Sequence, residues 1–322
     1  MSGQTRPRKQ TKKQPQPVVI WRQGIHLVGS ALWCDALRAQ ELCFVSSALA
    51  LHKSRRRAGT LLTTLTTMSL LSALQRAPSG AQLLSPLGRP FYWGSLRLEL
   101  FANGDLPGSA SLWVKLPSEE RVVFAGQPSQ TPSPLVEPMQ LRPAETLVMA
   151  APFASLLANM PSLQALAEQV MGELAAAHGQ GVPLLIRCSS VTKLAELAQR
   201  LDQGRLKLAP ELHRALVGCQ TLPHFPTLVS GASRTPRPGQ VLWWPLEAAL
   251  PSSPWKPREL VIPDGLGLAE LVAYARGSGA QRVYLTAGYS ESVAHALAPH
   301  RISAAPLGPP EQLGLFGEAA PP

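Results

Sequence analysis

The second half of the chain alternates two kinds of segment, and that alternation restricts the fold more than any other feature. Thr146–Ala151, Pro183–Arg187, Glu259–Ile262 and Arg282–Thr286 are short strand-like runs. Between and after them lie helical stretches. Ser162–Ala177 sets Leu163, Leu166, Val170 and Leu174 on one face, and Val191–Leu201, Ala269–Arg276 and Glu291–Leu297 read as further helices. Strand then helix, repeated, predicts an α/β layer with a parallel sheet, because each crossover helix returns the chain to start the next strand in the same direction.

The first half reads differently. Val18–Trp21, Leu32–Asp35 and Leu42–Ser46 are short strands. Residues 55–76 are rich in Leu and Thr at mixed spacing, which predicts one or two helices over a sheet. Ser95–Phe101 and Ala110–Leu116 alternate apolar with polar residues, and Arg121–Ala125 is a short apolar run, so three more strands are expected. Pro, Ser and Gln mark 127–144 as a loop or linker, Pro and Trp mark 221–258 as irregular, and beyond Pro306 the chain turns to Gly, Pro and Ala.

Charge narrows the partners. The chain has 322 residues, 45% hydrophobic and only 16% charged, with a formal net charge of +10. That balance supports a sizeable core and favours an acidic partner, nucleic acid ahead of a membrane surface. Residues 1–17 hold Arg6, Arg8, Lys9, Lys12 and Lys13 and no acid, which predicts a disordered arm that either solubilises the chain or grips phosphates. No secretory h-region and no run near the roughly 18 apolar residues of a membrane span is present, so neither export nor a membrane is expected. Cys34, Cys43, Cys188 and Cys219 lack C-x-x-C spacing and read as reduced, buried thiols of a cytoplasmic protein. Cys188 beside Ser189 and Ser190 has no neighbouring base, so a structural thiol is expected there. His26, His178, His213, His224, His295 and His300 show neither H-x-H nor H-E-x-x-H spacing. No repeat, P-loop or G-x-S-x-G elbow occurs.

Several short motifs carry a resemblance. Residues 42–52 read Leu-Cys-Phe-Val-Ser-Ser-Ala-Leu-Ala-Leu-His, a strand running into the spacing S-H-x-H-x-D-H. Leu32-Trp33-Cys34-Asp35 is similar to L-W-x-D, Gly104-Asp105-Leu106-Pro107-Gly108-Ser109-Ala110 to G-H-x-L-G-S-A, and Phe124-Ala125-Gly126-Gln127 to Y-T-G-D. Thr146–Ala154 is similar to a strand ending in E-x-T-Y-G. Leu184-Leu185-Ile186 through Lys193, Glu196 and Leu197 is similar to V-L-I-P-x-F-x-x-G-[KR]-x-Q-E-L, and Arg282–Tyr289 to V-x-x-T-H-G-Y. With these in order, the chain resembles the metallo-β-lactamase/β-CASP nucleases, nearest to the DNA-ligase-associated exonuclease and RNA 3′-end processing branch.

The resemblance implies an αββα sandwich with a reduced β-CASP-like α/β insertion. Its divisions would be a basic tail at 1–17, the sandwich over 18–145, the insertion over 146–258, a return to the sandwich over 259–308 and a tail over 309–322. It also implies a two-zinc site whose ligand positions here are Ser47, Leu49, Leu51, His52, Asp105, Gln127 and Ala287. The family's late S-D-H-x-D turn keeps only Asp264, and Ala150 replaces the acid of the E-x-T-Y-G strand. A catalytic zinc needs three protein ligands and a water, so a catalytically degenerate protein without a resident cofactor is expected. Two other readings stay open: a metal-dependent exonuclease rearranged around His52, Asp105 and Asp264, with zinc as its cofactor, and a scaffold that contacts only protein.

Two further segments bear on partners. Lys53, Arg55, Arg56 and Arg57 follow His52 directly, and in the family fold they would leave the metal motif at the cleft rim, placed to hold a phosphate backbone. The other reading of this run is a solvated helix start. Gln312, Leu313, Leu315 and Phe316 form a Q-L-x-L-F peptide similar to those by which bacterial repair proteins dock on the DNA sliding clamp. Trp93, Trp243, Trp244 and Trp255 can stack on bases or fill cores, and cores are expected.

Overall fold

The computed structural model describes residues 17–36, 38–50, 57–188, 190–200, 206–222, 231, 232, 237, 240–244 and 256–309. Three sheets organise them. The first joins β1 (Val19–Trp21), β2 (Ile25–Leu27), β3 (Leu32–Cys34), β4 (Leu42–Phe44), β5 (Arg57–Thr63) and β6 (Ser79–Leu84) in that order, with α1 (Leu65–Ala73) between the last two. Next come β7 (Phe91–Trp93), β8 (Leu96–Ala102), β9 (Ala110–Lys115), β10 (Arg121–Gly126) and β11 (Thr146–Ala150). They are followed by α2 (Leu163–Gly179), β12 (Leu184–Arg187), α3 (Val191–Ala198), β13 (Leu206–Leu208), α4 (Pro210–Cys219), β14 (Val241–Trp244) and β15 (Arg258–Val261). The chain then forms α5 (Leu268–Ser278), β16 (Arg282–Ala287), α6 (Glu291–Leu297) and β17 (Ser303–Pro306). The second sheet runs β17-β16-β11-β10-β9-β8-β7, and the small third sheet runs β13-β14-β12-β15. The architecture is mixed α/β.

Side-chain alternation explains how the layers stack. Leu42, Phe44 and Leu62 of the first sheet meet Leu98, Leu100, Leu112, Val122, Phe124 and Val148 of the second in one core. The intervening residues face the other way. Val123, Leu147, Met149 and Leu285 pack beneath Leu271, Tyr274 and Val293 of α5 and α6. Cys43 and Leu61 pack beneath Met68 and Leu71 of α1, in a core that continues into the helices of the third sheet. Two sheets face each other with helices outside both, and the small α/β layer leans on α1 through α4.

Two expectations need correcting. Residues 55–76 hold one helix over a sheet and not two: Arg57–Thr63 is strand β5, paired in parallel with β4 on one side and β6 on the other, and Leu65–Ala73 is the helix. The Thr-Leu-Leu-Thr run fits a pleated strand buried on both faces, and Thr64 then caps α1 by accepting from the Thr67 amide. The Trp-rich 221–258 stretch is not wholly irregular, because Val241–Trp244 is the inner strand β14. Its Val241 and Trp243 face one core and its Leu242 and Trp244 the other, so these two tryptophans are unavailable to bases. β11 sits inside the second sheet between β10 and β16, whereas β15, beginning at Arg258, belongs to the small third sheet.

Helices α2, α3, α5 and α6 form where the sequence predicts helices, α4 arises where none was expected, and α2, α3 and α6 start on Ser caps. Ser162, Ser190 and Ser290 each accept from the amide three residues on. Among the described residues no helix is long and apolar enough to cross a membrane.

Candidate functional site

Strand direction brings most of the motif positions to one edge. β10, β11 and β16 run parallel, so Gln127, the residues after Ala150, and Ala287 share the edge where those strands finish. β8 and β9 run antiparallel to each other, so the Asn103–Ser109 turn between them lies at the same edge. The first sheet joins there too: the Ala110 amide donates to the Ser46 carbonyl at 2.8 Å, at the end of β4. Gly126 turns with φ +64°, and a Cβ placed on it would come within 2.8 Å of Ser46 Cβ, so only glycine admits this approach of the two sheets.

Polar contacts brace the edge. Asp35 receives the Ser46 amide at 2.9 Å on one oxygen and the Ser46 hydroxyl at 2.7 Å on the other. The buried Asn103 amide oxygen accepts from Ser109 Oγ at 2.6 Å and from the Asp105 amide at 3.2 Å. The Gln127 side-chain amide donates to Asp264 Oδ2 at 3.2 Å, and the Gly265 amide donates to Asp264 Oδ1 at 2.9 Å. The small layer reaches in from the side: Thr192 Oγ1 donates to the Asp105 carbonyl at 2.8 Å. Lys193 Nζ donates to the Pro263 carbonyl at 2.9 Å and lies 3.6 Å from Asp264 Oδ1. Cys188 lies beside this group. Burial, then the nearby Asp264 charge, pushes its thiol up to about 12, so it is not a thiolate nucleophile. All four cysteines are buried, and none is in a disulfide.

The predicted site residues therefore divide. Asp105, Gln127, Asp264 and the buried Ser47 lie at the common edge. Leu49 follows in the turn after Ser47 and packs its side chain on the apolar core beneath α1. Ala287 is at the same sheet edge but exposed, its carbonyl accepting from the Ala151 amide at 3.1 Å. Leu51, His52, Lys53, Arg55 and Arg56 lie outside the described residues, as do Gln312, Leu313, Leu315, Phe316 and Trp255. Arg57 opens β5, and β5 is parallel to β4, so its backbone sits at the opposite edge from Ser46. At about 3.3 Å per residue, the seven residues of β5 put Arg57 roughly 20 Å from the rim where the sequence reading placed the whole basic run.

Among the described residues the donor set does not suit a two-zinc site. Gln127 offers an amide, Ala287 a methyl group and Leu49 a half-buried hydrocarbon, and the Asp264 carboxylate is approached by an ammonium, a side-chain amide and a backbone amide. Among the described residues no three His, Cys, Asp or Glu side chains are grouped to hold a metal ion. Sequence reasoning missed Ser46, Asn103 and the ammonium of Lys193. The available signals were the polar Ser46-Ser47 pair after an apolar strand and a lysine in the first turn of a helix. No family model and no curated protein sequence matches the chain.

Proposed function

We propose that the chain is a catalytically degenerate, metallo-β-lactamase/β-CASP-like protein that binds nucleic acid in repair or processing, without a resident metal cofactor. The observation that carries this reading is the edge where motif positions 105, 127, 264 and 287 gather: the side chains there are Asp105, Gln127, Asp264 and Ala287, with Lys193 against Asp264. The helix–sheet–sheet–helix stacking, with an α/β layer entering between β11 and β16, supports the fold part of the proposal. Hydrolysis of a phosphodiester needs an activated water and a charge clamp. An amide and a methyl group provide neither, whereas a chain with formal charge +10 can still attract a phosphate backbone. Four buried thiols outside any disulfide fit a reducing compartment, and the reading places the protein in the cytoplasm.

Mobility shifts on single- and double-stranded DNA test the binding. Retardation that weakens steeply between about 50 and 200 mM salt is the expected result. Salt-insensitive retardation contradicts an electrostatic mode, and no retardation at low salt leaves a protein-only scaffold. The peptide Gln312–Phe316 extends the proposal to recruitment by a sliding clamp. Full burial of Leu315 and Phe316 in an apolar groove stabilises docking by roughly 1.5–3 kcal/mol each. Capture of the chain on immobilised clamp checks this, and equal capture of the L315A/F316A variant removes it.

A further inference from the structure

We infer that, among the described residues, the Lys193 ammonium is a resident cation of this edge, a tethered counter-charge that stands where the resemblance puts metal ions and ties the small α/β layer to the sandwich. The inference concerns how the fold is held and does not depend on nucleic-acid binding. Lys193 is only 4% exposed and Asp264 only 2%. Charges so deeply buried persist only when paired and hydrogen-bonded. The ammonium has both supports, Asp264 Oδ1 at 3.6 Å and the Pro263 carbonyl at 2.9 Å.

Its position on the helix strengthens the argument. Ser190 caps α3 by accepting from the Lys193 amide at 3.2 Å, which fixes Lys193 in the first helical turn. A cation there faces the positive end of the helix dipole, where acids are favoured. Helix electrostatics and desolvation both oppose a buried lysine at this place, so the carboxylate opposite must account for it. The three components come from separate parts of the chain. Lys193 belongs to the small layer, Gln127 follows β10 of the second sheet, and Asp264 lies in the β15–α5 connection between them. A metal ion shared by such loops would cross-link them, and here the ammonium and the Gln127 amide converge on one carboxylate to the same end. A divalent ion seeking Asp264 would have to displace a cation covalently held beside it.

The test uses the full chain and three variants, Lys193→Met, Asp264→Asn and the two combined. Methionine keeps most of the lysine stem and removes the charge. Taking the ammonium away from the buried Asp264 raises the unfolding equilibrium constant by roughly two to three and a half orders of magnitude. The double variant removes both charges of the pair and recovers most of that loss. Addition of 1 mM manganese or zinc leaves the melting temperature of the native chain unchanged and raises that of Lys193→Met, where the ammonium no longer sits beside the carboxylate. Three results overturn the inference: a Lys193→Met variant as stable as the native chain, a double variant no more stable than Lys193→Met or unable to fold, or native protein stabilised by the divalent ion to the same degree as Lys193→Met. If Lys193→Met alone fails to fold, recovery of a folded double variant carries the inference.

Discussion

Replacing Lys53, Arg55, Arg56 and Arg57 together with alanine makes the salt dependence of DNA binding shallower by about 3.6 in log affinity per log salt. The figure follows from counterion release. Each phosphate contact on duplex DNA contributes about 0.9 to that slope, so four contacts give the stated change as an upper value. Between 50 and 200 mM salt, four such contacts weaken binding by roughly 150-fold, and the variant loses that sensitivity. The chain enters the basic run after Ala50, beside the motif edge, and leaves it on Arg57 at the far edge of the first sheet. The four charges need not act at one point, and a smaller change in slope counts how many of them touch phosphate. The check is a titration of labelled duplex at four or more salt concentrations, with a thermal melt to show that both proteins are folded. An unchanged slope means that this run is a solvated surface segment and that other cations attract the nucleic acid.

Trp243→Ala destabilises the protein by about 3–5 kcal/mol, the usual range for removing a large aromatic from a core. Trp243 is 0% exposed, in the strand that separates β13 from β12, and its ring belongs to the core shared by α1, α2, α3 and α4. Trp243 Nε1 is buried without a hydrogen-bond partner among the described residues, so no hydrogen bond is lost with the ring. The cost is therefore cavity and lost packing. A chemical denaturation curve measures it, and the small α/β layer should lose its structure first if its strands unfold as a unit. A change below about 1 kcal/mol would place the ring outside the core, since even modest core truncations exceed that.

How much was legible in the sequence can be judged element by element. The strand–helix alternation after Thr146 was readable because its helices are long enough to show a 3.6-residue period, and α6 falls on the predicted Glu291–Leu297. β6 gave no such signal: Ser-Gly-Ala-Gln-Leu-Leu is an edge strand whose side chains are mostly exposed, so burial imposed no alternation. β5 misled for the opposite reason, because it lies between two parallel strands with cores on both faces, and an apolar stretch buried on both sides has no strand period. β14 was hidden by its tryptophans and by surrounding prolines, which suggested a loop.

The site was legible as a set of positions but not as a set of interactions. Motif spacing located Asp105, Gln127, Asp264 and Ala287, and strand direction brings them to one edge. Its place in the first turn of a helix was the one signal for Lys193, and it did not mark an inward-facing cation, because a lysine on a helix ordinarily extends its charge to water. Its orientation depends on Asp264, 71 residues further along the chain, and local pattern carries no information about such a pairing. Asp35 is a second example. The L-W-x-D likeness identified it as a marker, yet its work of clamping both polar groups of Ser46 appears only in three dimensions.

Under the proposal, the described side chains of this edge do not make up the ligand set that a catalytic zinc needs. Metal content of the chain purified without chelators, measured by emission spectrometry alongside incubation with end-labelled DNA and RNA, tests that claim most directly. The account predicts far less than one zinc or manganese ion per chain and strands of unchanged length. Two bound ions per chain together with progressive shortening of a strand would contradict it.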